Sequence, residues 1–141
     1  MTTSKAPETV KIYPDQHVTF LTQQAEEFRR IYNISNSNSH PARTRQRNLI
    51  TEEFKEFLDA EAILYRSNPQ YPQECLKEVA DLVYVCYQYA VNMGWDLDEA
   101  LYRVHESNMS KLDKDGKPIY REDGKVLKGP NYAPPNLEDL V

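Results

Sequence analysis

Residues 51–58 read TEEFKEFL and residues 77–90 read KEVADLVYVCYQYA, and the placing of their acids decides the fold. On a helical wheel of about 100° per residue, Leu49, Ile50, Phe57 and Leu64 share one apolar arc. Glu53 falls inside that arc and Glu56 on its edge. The second segment is apolar over most of its circumference. Glu78 lies there beside Leu82, Val85 and Tyr89, with Asp81 just outside. An ionised carboxylate bordering a core must be paired, protonated or bound to a cation.

Spacing gives the four acids a common answer. Carboxylates three residues apart on a helix point the same way, with Cβ atoms about 5–6 Å apart. Helices packed at roughly 8–10 Å bring two such pairs face to face. The pattern therefore predicts two neighbouring helices with an oxygen-rich cage between them, suited to a hard cation such as Mg²⁺. A single E-x-x-E pair usually marks a solvated helix face, and it is the repetition on two helices that points elsewhere. Glu61 also falls near the apolar arc without a matching partner, and an arginine would satisfy it.

Val18, Leu21, Ala25, Phe28 and Tyr32 recur at helical steps and predict a first helix over about 16–33. SNSNSHPAR (35–43) reads as a loop, because Pro41 lacks an N–H and biases His40 away from helical angles. The second helix is expected over about 44–65, closed by RSNPQYP (66–72), and the third over about 73–93 with Gly94 as its stop. Asp96 with Glu99 resembles a capping box opening a fourth helix through about Leu112. Beyond it, two Asp-Gly-Lys turns and a Gly/Pro-rich tail form either an extended arm or a small hairpin over 117–128. The expected fold is all-α: an N-terminal arm (1–14), a four-helix domain (15–112) and a C-terminal arm (113–141).

The 141 residues, 40% of them apolar, suffice for one domain with its own core. A net charge of −5 argues against a nucleic-acid or anionic-membrane partner. No apolar run has the length of a membrane span and the N-terminus carries no signal-peptide core, so a cytoplasmic location is expected. Cys75 and Cys86 have no metal-type spacing and read as reduced core residues. DKDGKPIYRED (113–123) fails as a calcium loop, since its glycine falls at the fourth position instead of the sixth. A third helix so apolar all round needs more cover than four short helices supply, which predicts a homodimer or homotetramer.

LITEEFKEF (49–57) followed by EVADLVYV (78–85) resembles the E-x-x-E…E-x-x-D signature of the all-α nucleoside triphosphate pyrophosphohydrolases, MazG and phosphoribosyl-ATP pyrophosphohydrolase-like branches included. SNMSKL (107–112) and KGPNYAPPNL (128–137) are similar to phage-type MazG proteins. The resemblance implies a four-helix MazG-like core and Mg²⁺-dependent cleavage of a nucleoside triphosphate between its α and β phosphates, with Mn²⁺ as a substitute cation. By the same resemblance Glu53, Glu56, Glu78 and Asp81 are the metal ligands. Glu52 occupies the place of a glutamate that orients or deprotonates the attacking water, and Glu53 joins it in the catalytic set. Asn108 and Lys111 match substrate contacts, and an oligomer is implied as well.

The wheel agrees in placing Leu97, Leu101, Val104 and Asn108 on one line with Lys111 beside it, which predicts that they face inward. A frayed last turn with Lys111 complementing the helix dipole is the plain alternative. Arg43, Arg45, Arg47, Lys125, Lys128 and Trp95 are weaker candidates. Two other functions remain open: hydrolysis of phosphoribosyl-ATP, and a non-catalytic helical oligomerisation module that keeps its acids for structure.

Overall fold

The computed structural model describes residues 21–141. The expected N-terminal arm, and residues 16–20 of the expected first helix, lie outside the described residues. Four helices follow in order: α1 Leu21–Ile31, α2 His40–Ala62, α3 Tyr71–Met93 and α4 Leu97–Met109. A short 3₁₀ turn, Glu138–Leu140, lies near the C-terminus. No β-strand is formed among the described residues, so the fold is all-α as expected.

Two helix starts correct the sequence reading. The loop expected at 35–43 ends sooner, because α2 already begins at His40 with Pro41 in its first turn. Pro72 likewise sits in the first turn of α3, which begins at Tyr71, two residues before the expected start. First-turn N–H groups have no intrahelical acceptor, so proline sacrifices nothing there and its fixed φ suits the helix. Ser39 caps α2 by accepting a hydrogen bond from the Ala42 N–H at 3.3 Å. The far end of α2 falls at Ala62, short of Tyr65, and α4 ends at Met109, short of Leu112.

Gly94 stops α3 at φ 75°, a left-handed conformation that favours glycine. Its N–H bonds the Val91 carbonyl at 3.0 Å and the Trp95 N–H bonds that of Ala90 at 2.9 Å, so the last carbonyls of α3 are satisfied. Asp96 caps α4 through the Glu99 N–H at 3.0 Å. The reciprocal half of the expected capping box is missing, because the Glu99 side chain accepts from Arg103 instead.

The core is thin. Ala25, Tyr87 and Val91 pack together with Leu97 against them, and no large side chain is fully buried among the described residues. Part of what holds α1 to α3 is polar. Arg29, 3% exposed, donates to Asn92 Oδ1 (2.9 Å), Gln88 Oε1 (3.3 Å), Asn36 Oδ1 (2.6 Å) and the Ser35 carbonyl (3.1 Å). Asn92 also bonds both backbone groups of Ser37, which pins the α1–α2 connection onto the second half of α3. Tyr87 donates to Asp98 at 3.0 Å and ties α3 to the start of α4.

The C-terminal arm is a small hairpin without a full strand. Tyr120 bridges Val126, and the Leu127 N–H bonds the Ile119 carbonyl at 2.8 Å. The inward-facing stripe expected on α4 is corrected: Leu97 packs on the core, but Leu101 is 49% exposed and Asn108 is exposed too. Beyond its first turn, α4 leans largely on the arm, through Arg103, Ser107 and Ser110.

Candidate active site

The α2–α3 contact is the most extensive in the described residues. Glu53 and Glu56 on α2 lie about as far before the connection at 63–70 as Asp81 and Glu78 lie after it. Folding one helix back along the other therefore brings the two pairs level. Glu53, Glu78 and Asp81 each offer a carboxylate oxygen, and these oxygens lie within 4.8 Å of one another. Glu56 is not among these three, but it lies near enough for its charge to act on the Glu53 carboxyl.

Burial, first, and then the charges of Glu56 and Asp81 hold the Glu53 carboxyl above its ordinary pKa. Glu53 Oε2 and Glu78 Oε2 are both buried without a hydrogen-bond partner. One cation already leans on the cluster: Lys77 Nζ lies 2.6 Å from Asp81 Oδ2 and 3.4 Å from Glu78 Oε1. The bond to Asp81 raises the Lys77 pKa, but the side chain is 66% exposed and reaches neither orphaned oxygen by a hydrogen bond. A carboxylate cluster with two unpartnered buried oxygens fits a hard divalent cation, whose ligands are oxygens.

The profile of the phosphoribosyl-ATP pyrophosphohydrolase family matches residues 14–108, which include the whole acid cluster. The chain belongs to this family. It is thereby a member of the MazG-like all-α nucleoside triphosphate pyrophosphohydrolase superfamily, and a pyrophosphohydrolase. No curated protein matches the chain. The stretches at 107–112 and 128–137, likened above to phage-type MazG proteins, fall at or beyond the end of the match.

The other expected residues are not among the converging acids. Glu52 is exposed and lines a groove of about 400 Å³ with Asn48, Thr51, Lys55, Glu56 and Asp59. Glu56 borders both this groove and the cluster, so Glu52 is one neighbour removed from the acids. Asn108 and Lys111 line a separate cavity at the end of α4. Arg43, Arg45 and Arg47 are exposed, and so is Glu61, which has no ion-pair partner among the described residues. The Trp95 ring sits 6.0 Å from that of Tyr89, and Trp95 lines a cleft between α1 and α4. Cys75 and Cys86 are free thiols. No described helix is long and apolar enough to cross a membrane.

Sequence reasoning missed two groups. Lys77 was legible from its position four residues before Asp81. Arg29 was legible from its place between Phe28 and Tyr32 on the stripe of α1, where an arginine is either buried with partners or misplaced.

Proposed function

We propose that this pyrophosphohydrolase acts on a (deoxy)nucleoside triphosphate, cleaving between the α and β phosphates in a Mg²⁺-dependent reaction that Mn²⁺ also supports. The observation that carries the reading is the convergence of Glu53, Glu78 and Asp81 oxygens within 4.8 Å, with two of the buried oxygens unpartnered. Glu53, Glu56, Glu78 and Asp81 would hold the cation. When bound, the ion neutralises charge on the triphosphate and lowers the pKa of a coordinated water.

This chain's own residues then have distinct tasks. The carboxylates fix where the phosphate chain sits, since any anion entering must do so where their charge is neutralised. Glu52, beyond Glu56, receives the proton of the water that attacks the α phosphorus. The bond from that phosphorus to the α–β bridging oxygen breaks, and the monophosphate and pyrophosphate leave. Asn108 and Lys111 hold the substrate. Apolar side chains left outside the fold, Leu76 at 69% exposure with Val79 and Val83 on α3 and Phe54 and Leu58 on α2, support a homodimer or homotetramer. Free cysteines fit a reducing, cytoplasmic setting.

Phosphoribosyl-ATP, the compound in the matching family's name, is the second reading. A panel of nucleoside triphosphates and phosphoribosyl-ATP, assayed for pyrophosphate release with Mg²⁺ and with chelator, separates the two. Release from the triphosphates with Mg²⁺ alone is expected. Turnover of phosphoribosyl-ATP only would replace the first reading by the second, and no metal-dependent release from any member would overturn both.

A further inference from the structure

The C-terminal arm lies wholly beyond the family match, yet it is built closely against α4. The Gly129 N–H bonds the Lys111 carbonyl at 2.8 Å. A Cβ at Gly129 would stand 1.9 Å from the Leu112 carbonyl oxygen and 2.8 Å from that of Lys111, so no other residue fits without moving the backbone. Further along, Ser107 Oγ donates to the Ala133 carbonyl at 2.7 Å and the Ala133 N–H donates to Ser110 Oγ at 2.9 Å. Arg103 donates to the Asn136 carbonyl and to both oxygens of Asp139. The arm is thus fastened to the helix at three successive levels.

Between the arm's hairpin and the end of α4 lies a cavity of about 520 Å³, lined by Asn108, Met109, Lys111, Leu112, Lys125 and Val126. Half of this lining is apolar and the other half is one amide and two ammonium groups. Among the described residues neither Lys111 nor Lys125 meets a carboxylate, whereas Arg103 and Arg121 each do. Lys128 is occupied differently, lying 4.6 Å above the Tyr132 ring. Two unpaired ammonium groups on one cavity repel each other in a chain whose net charge is −5, which supplies acids enough to have paired them. An anion relieves that repulsion and uses both sets of donors.

We propose that this cavity is a phosphate-binding subsite completed by the arm, in which Lys125 joins Lys111 on the phosphate chain of a nucleotide while Met109, Leu112 and Val126 cover its less polar part. The identity of the anion rests on the function proposed above; the existence of the subsite rests on the geometry alone. Lys125 thereby becomes a substrate-binding residue supplied by an element that the family match does not include.

The test uses the full chain, a nucleoside triphosphate analogue with a methylene bridge between its α and β phosphates, and chelator to keep the carboxylate cluster free of cations. Lys125→Ala is expected to weaken analogue binding about tenfold at low ionic strength and to flatten its salt dependence, since one charge-assisted contact is lost. Lys128→Ala, on the same arm, should bind as the parent does. Gly129→Ala, which pushes the arm from the helix, should lose as much affinity as Lys125→Ala. Unchanged affinity in Lys125→Ala with an unaltered melting temperature overturns the subsite, as does an equal loss in Lys128→Ala. The two readings fail separately. Lys125-dependent binding without pyrophosphate release from any triphosphate leaves the subsite standing and removes the proposed function, and normal turnover by Lys125→Ala at limiting substrate does the reverse.

Discussion

Helix α3 carries two polar constellations of opposite kind. In its second half, Gln88 and Asn92 surround the Arg29 guanidinium, with Asn36 and Ser35 completing a ring of acceptors. In its first half, Glu78 and Asp81 meet Glu53 and Glu56 with two buried oxygens unpartnered and like charges side by side. One is a buried cation whose acceptors are neutral and fixed by the fold. The other is a set of anions whose compensation is incomplete. A polar group buried with all its partners stabilises a particular packing, while one buried without them holds free energy that a ligand releases. The first constellation is structure, and the second is the one on which the proposed cation site rests.

The largest expected effect breaks the structural one. Arg29→Met keeps the volume of the side chain but strands the acceptors on Asn92, Gln88 and Ser35, at a cost of roughly 3 kcal/mol of folding stability. A urea titration measures it, and kcat of the remaining folded enzyme should stay within about twofold. Intact stability with impaired cation affinity would place Arg29 in the site instead and dissolve the contrast.

Next in size is the site itself. Glu78→Gln should lower turnover at least tenfold, about 1.4 kcal/mol of barrier, because it removes a proposed cation ligand. It should leave the melting temperature in chelator unchanged or raised, since one of several crowded anions is gone. The opposite signs of Arg29→Met and Glu78→Gln on metal-free stability are the sharpest form of the comparison. A destabilised Glu78→Gln would mean that the cluster, too, is held together by its own contacts.

The acid cluster was legible because type, spacing and period all act within single helices. Glu53 inside an apolar arc is a conflict that the wheel displays directly, and repeating it at Glu78 fixes which helices must meet. What stayed hidden depends on relations between elements. The starts of α2 and α3 were missed because Pro41 and Pro72 read as breakers, although a first turn tolerates both. The face of α4 was misjudged because Leu101 and Asn108 share a stripe with Leu97, and periodicity cannot say how far two helices diverge after a shared start. Nor does any local pattern announce that the arm returns to α4. Gly129 does so only through the carbonyls that it approaches.

A third polar contact, Tyr87 with Asp98, tests whether satisfaction alone marks structure. Burial, first, and then the hydrogen bond to Asp98 push the Tyr87 pKa up to about 12 from an ordinary 10.0. The folded chain therefore keeps a proton that the unfolded chain gives up above pH 10, so stability should fall as pH rises from about 10 towards 12. Tyr87→Phe should lose about 1 kcal/mol at neutral pH and show a shallower decline over that alkaline range. Equal slopes in melting temperature for parent and variant between pH 9 and 11 would remove Tyr87 from the account.

The smallest effect belongs to Lys77, which stands where the two kinds of constellation touch. Its ammonium bonds Asp81 and Glu78 as Arg29 bonds its amides, but it is largely exposed, and water and salt screen what it contributes. If the cluster awaits a cation, Lys77 is a competitor that must give way. Lys77→Met should then tighten Mn²⁺ binding by about threefold at low ionic strength, with parent and variant converging as salt is added. Titrating Mn²⁺ in the absence of substrate, with electron paramagnetic resonance to count the free ion, isolates this step from catalysis. The sign matters more than the size, because Glu78→Gln must move the same constant the other way. Weaker Mn²⁺ binding in Lys77→Met would mean that the lysine holds Asp81 in place for the ion. The cluster would then be partly a satisfied network after all, and the division between the two halves of α3 would be one of degree.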